Sequence, residues 1–343
     1  LTTLSSESLL RIVAIGGGTG LAALLSGLKK YSYLRSEVDG RPRVHITAIV
    51  TVTDDGGSSG RLRRELDVLP PGDIRNCMVA LSEDDALLSE LFQYRFGAGR
   101  GLKGHSFGNL FLTALTQVTG DFLRAIQVSS EVLAIHGHIY PSTREDVVLR
   151  AELANGEIVE GESRISRART PIERLYLKPR KCQPLTETLE AIAAADLITL
   201  GPGSLYTSVI PNLLVQGIPK AIAQSRAQKV YFSNLMWQPW ETMYFSASDH
   251  LRALEKHAGK GLIDTVVVNT HPISGERRRR YAAQKVYPVE VDLPRLQEHG
   301  VEVIGRNLLA KGEKIRHNPA AVADIAVELA RKARQRRRRK AEL

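Results

Sequence analysis

Leu197-Ile198-Thr199-Leu200-Gly201-Pro202-Gly203-Ser204-Leu205-Tyr206-Thr207-Ser208 reads as a short apolar strand that runs into a glycine turn and then a helix. The same order occurs earlier, where Arg11-Ile12-Val13-Ala14-Ile15 leads into Gly16-Gly17-Gly18-Thr19-Gly20. Glycines let a ligand approach the backbone with no Cβ in the way, and a helix start offers unpaired N–H groups carrying partial positive charge. That combination favours phosphate. Two such turns in one chain point to a ligand with more than one anionic anchor, such as a nucleotide diphosphate. The phosphate candidates are therefore Gly16, Gly17, Gly18, Thr19 and Gly20 in one turn and Gly201, Pro202, Gly203, Ser204, Thr207 and Ser208 in the other.

Around these turns the pattern is α/β. Val44–Val52 is a second continuous apolar run, as expected of a parallel strand covered on both faces by helices. Further strands are predicted at Leu197–Leu200, Val230–Phe232, Thr265–Val268 and Glu302–Val303, and helices at Thr19–Lys30, Leu185–Ala195 and Ala320–Ala333. The segment from about 58 to 130 reads as helical in four pieces: Ser58–Leu66, Asp73–Leu81, Asp85–Tyr94 and Ser106–Thr119. It is expected to be an insertion beside the strand ends. Asn155-Gly156 between Val147–Leu153 and Glu157–Glu160 signals a hairpin, because both turn residues tolerate positive φ. This hairpin and Leu175–Leu177 are expected to extend the sheet with antiparallel strands over about 145–180. The fold expected is a Rossmann-like three-layer α/β sandwich with a mostly parallel sheet, one domain over 11–330.

The 343 residues are 43% hydrophobic and 24% charged, an ordinary globular balance. No apolar run approaches the roughly 20 residues that span a bilayer, so no membrane is expected. Cys77 and Cys182 stand far apart, which suggests a reduced, cytoplasmic protein. Of the net charge of +10, residues 331–343 supply +7, from eight Lys/Arg against Glu342. That run is expected to be a disordered basic tail, and with no interleaved aromatics it does not predict specific nucleic-acid recognition.

The chemistry gathers after Val44–Val52, where doubly wound sheets place their ligands. Thr53-Asp54-Asp55-Gly56-Gly57-Ser58-Ser59-Gly60-Arg61-Leu62-Arg63 holds two carboxylates that can bind Mg²⁺ or accept from a ribose or sugar. Gly57 allows a tight turn, Ser58 and Ser59 can cap the next helix, and Arg61 can meet an anion. In Pro70-Pro71-Gly72-Asp73-Ile74-Arg75-Asn76, Asp73 reads as an N-cap, with Arg75 and Asn76 as anion and sugar contacts. Gly104-His105-Ser106-Phe107-Gly108-Asn109 is a third helix start. His136-Gly137-His138 lacks a third ligand and is not read as a metal site. The G-x-G-x-x-G fingerprint has its first two glycines in Gly16 and Gly18 but Leu21 in the third slot, so an NAD-like dinucleotide is the weaker ligand expectation.

Together these stretches resemble the bacterial gluconeogenesis factors of the YvcK type. Asn155-Gly156-Glu157, Gly161-Glu162-Ser163, Pro211-Asn212-Leu213-Leu214 and Ser233-Asn234-Leu235-Met236 add to the likeness, which runs from about residue 11 to 320. The wider superfamily includes the 2-phospho-lactate transferases of deazaflavin (F420) cofactor synthesis. The resemblance implies a cytoplasmic protein that binds UDP-glucose or UDP-N-acetylglucosamine and supports growth and cell shape on gluconeogenic carbon; a homodimer is expected because large α/β proteins of this kind often dimerise. A Mg²⁺-dependent phospho-lactate-type transferase is the alternative. Asn109, Asn234 and Arg316 join Asp54, Asp55, Gly57, Ser58, Arg61, Asp73, Arg75 and Asn76 as candidate sugar, ribose or anion contacts. The chain departs from the family pattern at Trp237-Gln238-Pro239-Trp240-Glu241-Thr242, where two indoles would reshape the pocket rim, and at Pro319, which cannot be phosphorylated.

Overall fold

The computed structural model describes residues 9–34, 43–83 and 86–341. Its strands are β1 (Leu10–Gly16), β2 (Val44–Val50), β3 (His138–Pro141), β4 (Val148–Leu153), β5 (Ile158–Glu160), β6 (Ile172–Lys178), β7 (Leu197–Leu200), β8 (Gln228–Phe232), β9 (Thr265–Asn269) and β10 (Glu302–Arg306). Among the described residues, seven of them form one sheet in the order β10-β9-β8-β7-β1-β2-β3. All neighbours in it are parallel. The central strands β1, β2 and β7 are buried almost throughout, because helices cover both faces.

The order of the strands matters more than their number. After β1 the sheet grows through β2 and β3 in one direction. It then returns to the free side of β1 with β7 and grows the other way. The switch point of this doubly wound sheet lies between β1 and β7, and the crevice outside their carboxyl ends is where such folds hold ligands. Ile15 pairs with Leu200, so the two glycine turns leave the sheet side by side.

Helices α1 (Gly18–Tyr33), α2 (Gly57–Leu66), α3 (Gly72–Leu81), α4 (Ala86–Gln93) and α5 (Phe107–Thr119) follow the predicted pieces closely, and α6 (Phe122–Val132) is a further helix that none of those pieces names. Asp85, the expected start of α4, lies outside the described residues. α2 to α6 all fall in the connection from β2 to β3. β3 itself was not predicted. It is a four-residue edge strand with an exposed histidine, and its two-fold pattern is too short to register.

Three expectations are corrected. The antiparallel strands do not extend the main sheet: β5-β4-β6 is a separate sheet. β4 buries only alternate residues, Leu149, Ala151 and Leu153, so it needs cover on one face and not two. The basic run at 331–343 is not a disordered tail over its described part. It continues the last helix, Pro319–Ala341, in which Arg334 and Arg337 both bind the buried Asp196 carboxylate at the opposite end of the sheet from the glycine turns. Finally, Ser58, Ser59 and Asp73 are not caps: α2 and α3 start after Gly56 and Pro71, and the three side chains make other contacts from inside the first turns.

Candidate functional site

The two glycine turns touch. A Cβ built on Gly20 would lie 2.4 Å from the Pro202 carbonyl oxygen and 2.8 Å from the Gly203 Cα, so only glycine fits there. The Gly201 N–H donates to the Ile15 carbonyl at 3.0 Å. Asn212 is fully buried and joins the turns from below, its Nδ2 donating to the Gly16 carbonyl at 3.1 Å and the Ser208 carbonyl at 2.8 Å.

Neither helix that follows has a side-chain cap. α1 begins after Gly17, and a π-helical turn, Leu205–Val209, begins after Ser204. Residues of both starts, Gly18 to Gly20 on one side and Ser204 with Ser208 on the other, line a common cleft. At the second start one amide already has a side-chain partner. The Leu205 N–H donates to Gln238 Oε1 at 3.2 Å, while Gln238 Nε2 donates to Ser204 Oγ at 2.6 Å. The Asp73 carboxylate packs against the first turn, where a Cβ on Gly17 would lie 2.5 Å from its Oδ2. Burial and the neighbouring Asp54 charge push the Asp73 carboxyl up to about 6.

The cleft encloses about 810 Å³, a volume suited to a nucleotide-sized ligand. It is lined by Gly17, Gly18, Thr19 and Gly20 from the first turn and by Gly203, Ser204 and Ser208 from the second. Asn76, Asn234 and Arg316 of the predicted contacts also line it. Gly16, Gly201, Pro202 and Thr207 are buried behind this surface and shape it without lining it. Sequence reasoning missed Gln238, which lines the cleft and clamps the second turn to the loop after β8. Its signal was its position in the Trp237–Thr242 segment.

The remaining predicted residues form a separate layer beside the cleft. Asp54 accepts from the Gly56 N–H and Asp55 from the Ser163 N–H, both at 2.8 Å. Ser58 Oγ shares a hydrogen bond with His105 Nδ1 at 2.9 Å and accepts from Asn109 Nδ2 at 3.1 Å. Arg61 reaches the Lys103 carbonyl, and Gly57 has open space around it. Arg75 is buried, its Nη2 donating to Asn76 Oδ1 at 2.6 Å. Burial and the nearby Arg95 lower its proton affinity.

Two carboxylates complete this layer, Glu241 buried and Glu162 half-buried. Burial first, then Asp54, Asp73, Asp55 and Glu241, hold the Glu162 carboxyl well above its ordinary range. Burial also raises Glu241, against the opposing pull of the Ser166 hydroxyl, which donates to it at 2.7 Å. The donor set fits a resident Mg²⁺ poorly. Asp54 and Asp55 serve different segments, and among the described residues no group of three or more His, Cys, Asp or Glu is arranged to hold a metal. Among those residues, too, no helix is long and apolar enough to cross a membrane.

Comparison with known proteins agrees with this architecture. The family profile described as 2-phospho-L-lactate transferase CofD matches residues 12–309. A gluconeogenesis factor of Halalkalibacterium halodurans is 49% identical over 92% of this chain and 95% of its own length. That of Bacillus subtilis is 47% identical over 93% and 98%. A crystal structure of a UPF0052 family member from Bacillus halodurans superposes with a TM-score of 0.88 at 48% identity, covering 93% of this chain and 99% of that one. The chain thus belongs to the CofD family and, within it, to the proteins named gluconeogenesis factors.

Proposed function

We propose that this chain is a gluconeogenesis factor that binds a nucleotide sugar of the UDP-glucose or UDP-N-acetylglucosamine type and supports growth and cell shape on gluconeogenic carbon. The observation that carries the reading is the contact between the Gly16–Gly20 and Gly201–Ser208 turns at the β1/β7 switch point. It gives one cleft two uncapped helix starts, which suits a pyrophosphate bridging them. Arg316, lining the same cleft, supplies the opposite charge. The names of the relatives favour the physiological role.

The direct test is calorimetric titration of the purified protein with UDP-N-acetylglucosamine and UDP-glucose. Micromolar binding supports the reading, and absent or millimolar binding discards it. The CofD match favours a second reading, a transferase moving a phosphate-linked group. Incubation with a phospholactate donor and a deazaflavin acceptor distinguishes the two: a transferred product would replace the binding-factor reading.

A further inference from the structure

The cleft wall formed by the loop after β8 is chemically one-sided. Asn234, Gln238 and His317 all line it, yet each turns polar atoms to the protein. Asn234 bonds Tyr231 and Gln238, Gln238 bonds Ser204 and the Leu205 amide, and His317 Nε2 donates to the Ser233 carbonyl at 3.1 Å. His317 is held neutral, burial lowering it to about 4. What this wall offers a ligand is Leu235, Met236, the Trp237 indole and Ile315, with the Arg316 guanidinium beside them.

Trp237 is also fixed in place. Its Nε1 donates to the Phe245 carbonyl at 3.0 Å, and its N–H donates to the Tyr287 carbonyl at 2.9 Å. The rings of Tyr244 and Tyr287 lie 4.9 and 5.3 Å from it. Trp240 and Tyr244, on the same segment, have φ of 67° and 65°, the left-handed region that non-glycine residues rarely occupy. Such conformations persist only where the surroundings over-determine them, and they gather at functional sites.

Resting on the nucleotide-sugar reading, we propose that Trp237 is the stacking wall for the nucleobase, so that the base lies against the indole while the pyrophosphate lies at the glycine turns. A pyranose presents hydroxyls around its rim and needs several polar partners, whereas Asn234, Gln238 and His317 of this wall are bonded to the protein. A planar base needs an apolar face, and Trp237 supplies one.

The test uses the Trp240→Phe protein, which leaves Trp237 as the only tryptophan; Trp240 is exposed, stacks on Arg169 and does not line the cleft. UDP should quench its fluorescence saturably and pyrophosphate should not. Trp237→Ala should weaken UDP and UDP-N-acetylglucosamine alike by about 5- to 100-fold and leave pyrophosphate unchanged, with Trp237→Phe recovering most of the loss. Four results overturn the proposal: no quenching by bound UDP; loss confined to the UDP-sugar, which assigns the wall to the sugar; equal loss for pyrophosphate, which makes Trp237 structural; or unchanged affinity for UDP. If the wild-type protein binds no UDP or UDP-sugar, the nucleotide-sugar reading itself has failed, and this inference with it.

Discussion

The Cα of Gly20 stands so close to the Pro202 carbonyl that a single added methyl would lie 2.4 Å from its oxygen. These residues are far apart in sequence, and their contact turns two separate strand–turn–helix units into one site. Gly20→Ala must push backbone against backbone, which no side-chain adjustment relieves. It should destabilise the protein by about 1–3 kcal/mol, as overpacking typically does, and weaken nucleotide binding further by parting the turns. Gly16→Ala is the control, since its Cβ would meet only Leu21 at 3.6 Å, an ordinary contact. Urea denaturation of both variants checks the contrast.

Asp73 makes the site pH-dependent. Its folded-state carboxyl is raised to about 6 from 3.8, so between these values the native state binds more protons than the unfolded chain. Stability attributable to Asp73 is therefore complete below about pH 4 and lost as pH rises through 6, by up to about 3 kcal/mol. Asp73→Asn keeps the shape of the side chain and removes the charge. It should flatten the stability profile over this window. It should also tighten pyrophosphate binding at pH 7.5, because the carboxylate lies against the first turn and repels the ligand. A profile identical to wild type would refute this role.

Arg316 and Arg75 were both expected to meet anions, and the structure separates them. Arg316 lines the cleft, whereas Arg75 is buried with its guanidinium turned to Asn76. Arg316→Ala should weaken UDP-sugar binding about 10- to 100-fold with little loss of stability. Arg75→Ala should instead lower the melting temperature and change affinity only weakly.

Gln238 holds three partners at once: Ser204, the Leu205 amide and Asn234. Gln238→Ala frees the second turn. Binding should fall by at least 10-fold in calorimetry, while Gln238→Glu, which keeps the acceptor but loses the donor to Ser204, should fall less.

At the far end of the sheet, Asp196 is buried between Arg334 and Arg337 and accepts from the Arg11 N–H at 2.8 Å. Truncation after Lys332 would leave that carboxylate with no cationic partner. A loss of about 3–5 kcal/mol is the expected order for breaking a buried pair from one side. Nucleotide affinity, measured below the melting transition, should be unchanged.

The sequence made the local units legible. Apolar runs ending in glycine located β1 and β7, and Asn155-Gly156 located the turn between β4 and β5. Both turns were readable as phosphate loops because glycine and helix-start chemistry are local. What was not legible depends on pairing across the chain. Nothing near Arg334 or Arg337 indicates Asp196, 138 and 141 residues away, so the run read as a solvated tail. Asp73 looks like a cap until the fold brings the first glycine turn against it at Gly17, and Ser58 until it brings His105. Gln238 and Glu241 stand in the Trp237–Thr242 segment, but their roles arise only when the loop after β8 folds over the second turn and toward Ser166.

A crystal structure of the protein soaked with UDP-N-acetylglucosamine tests the central claim most directly. The diphosphate should lie between the amides of Gly17–Gly20 and those of Gly203–Ser208, in contact with both turns. A ligand whose diphosphate touches only one turn, or lies outside this cleft, would contradict the account.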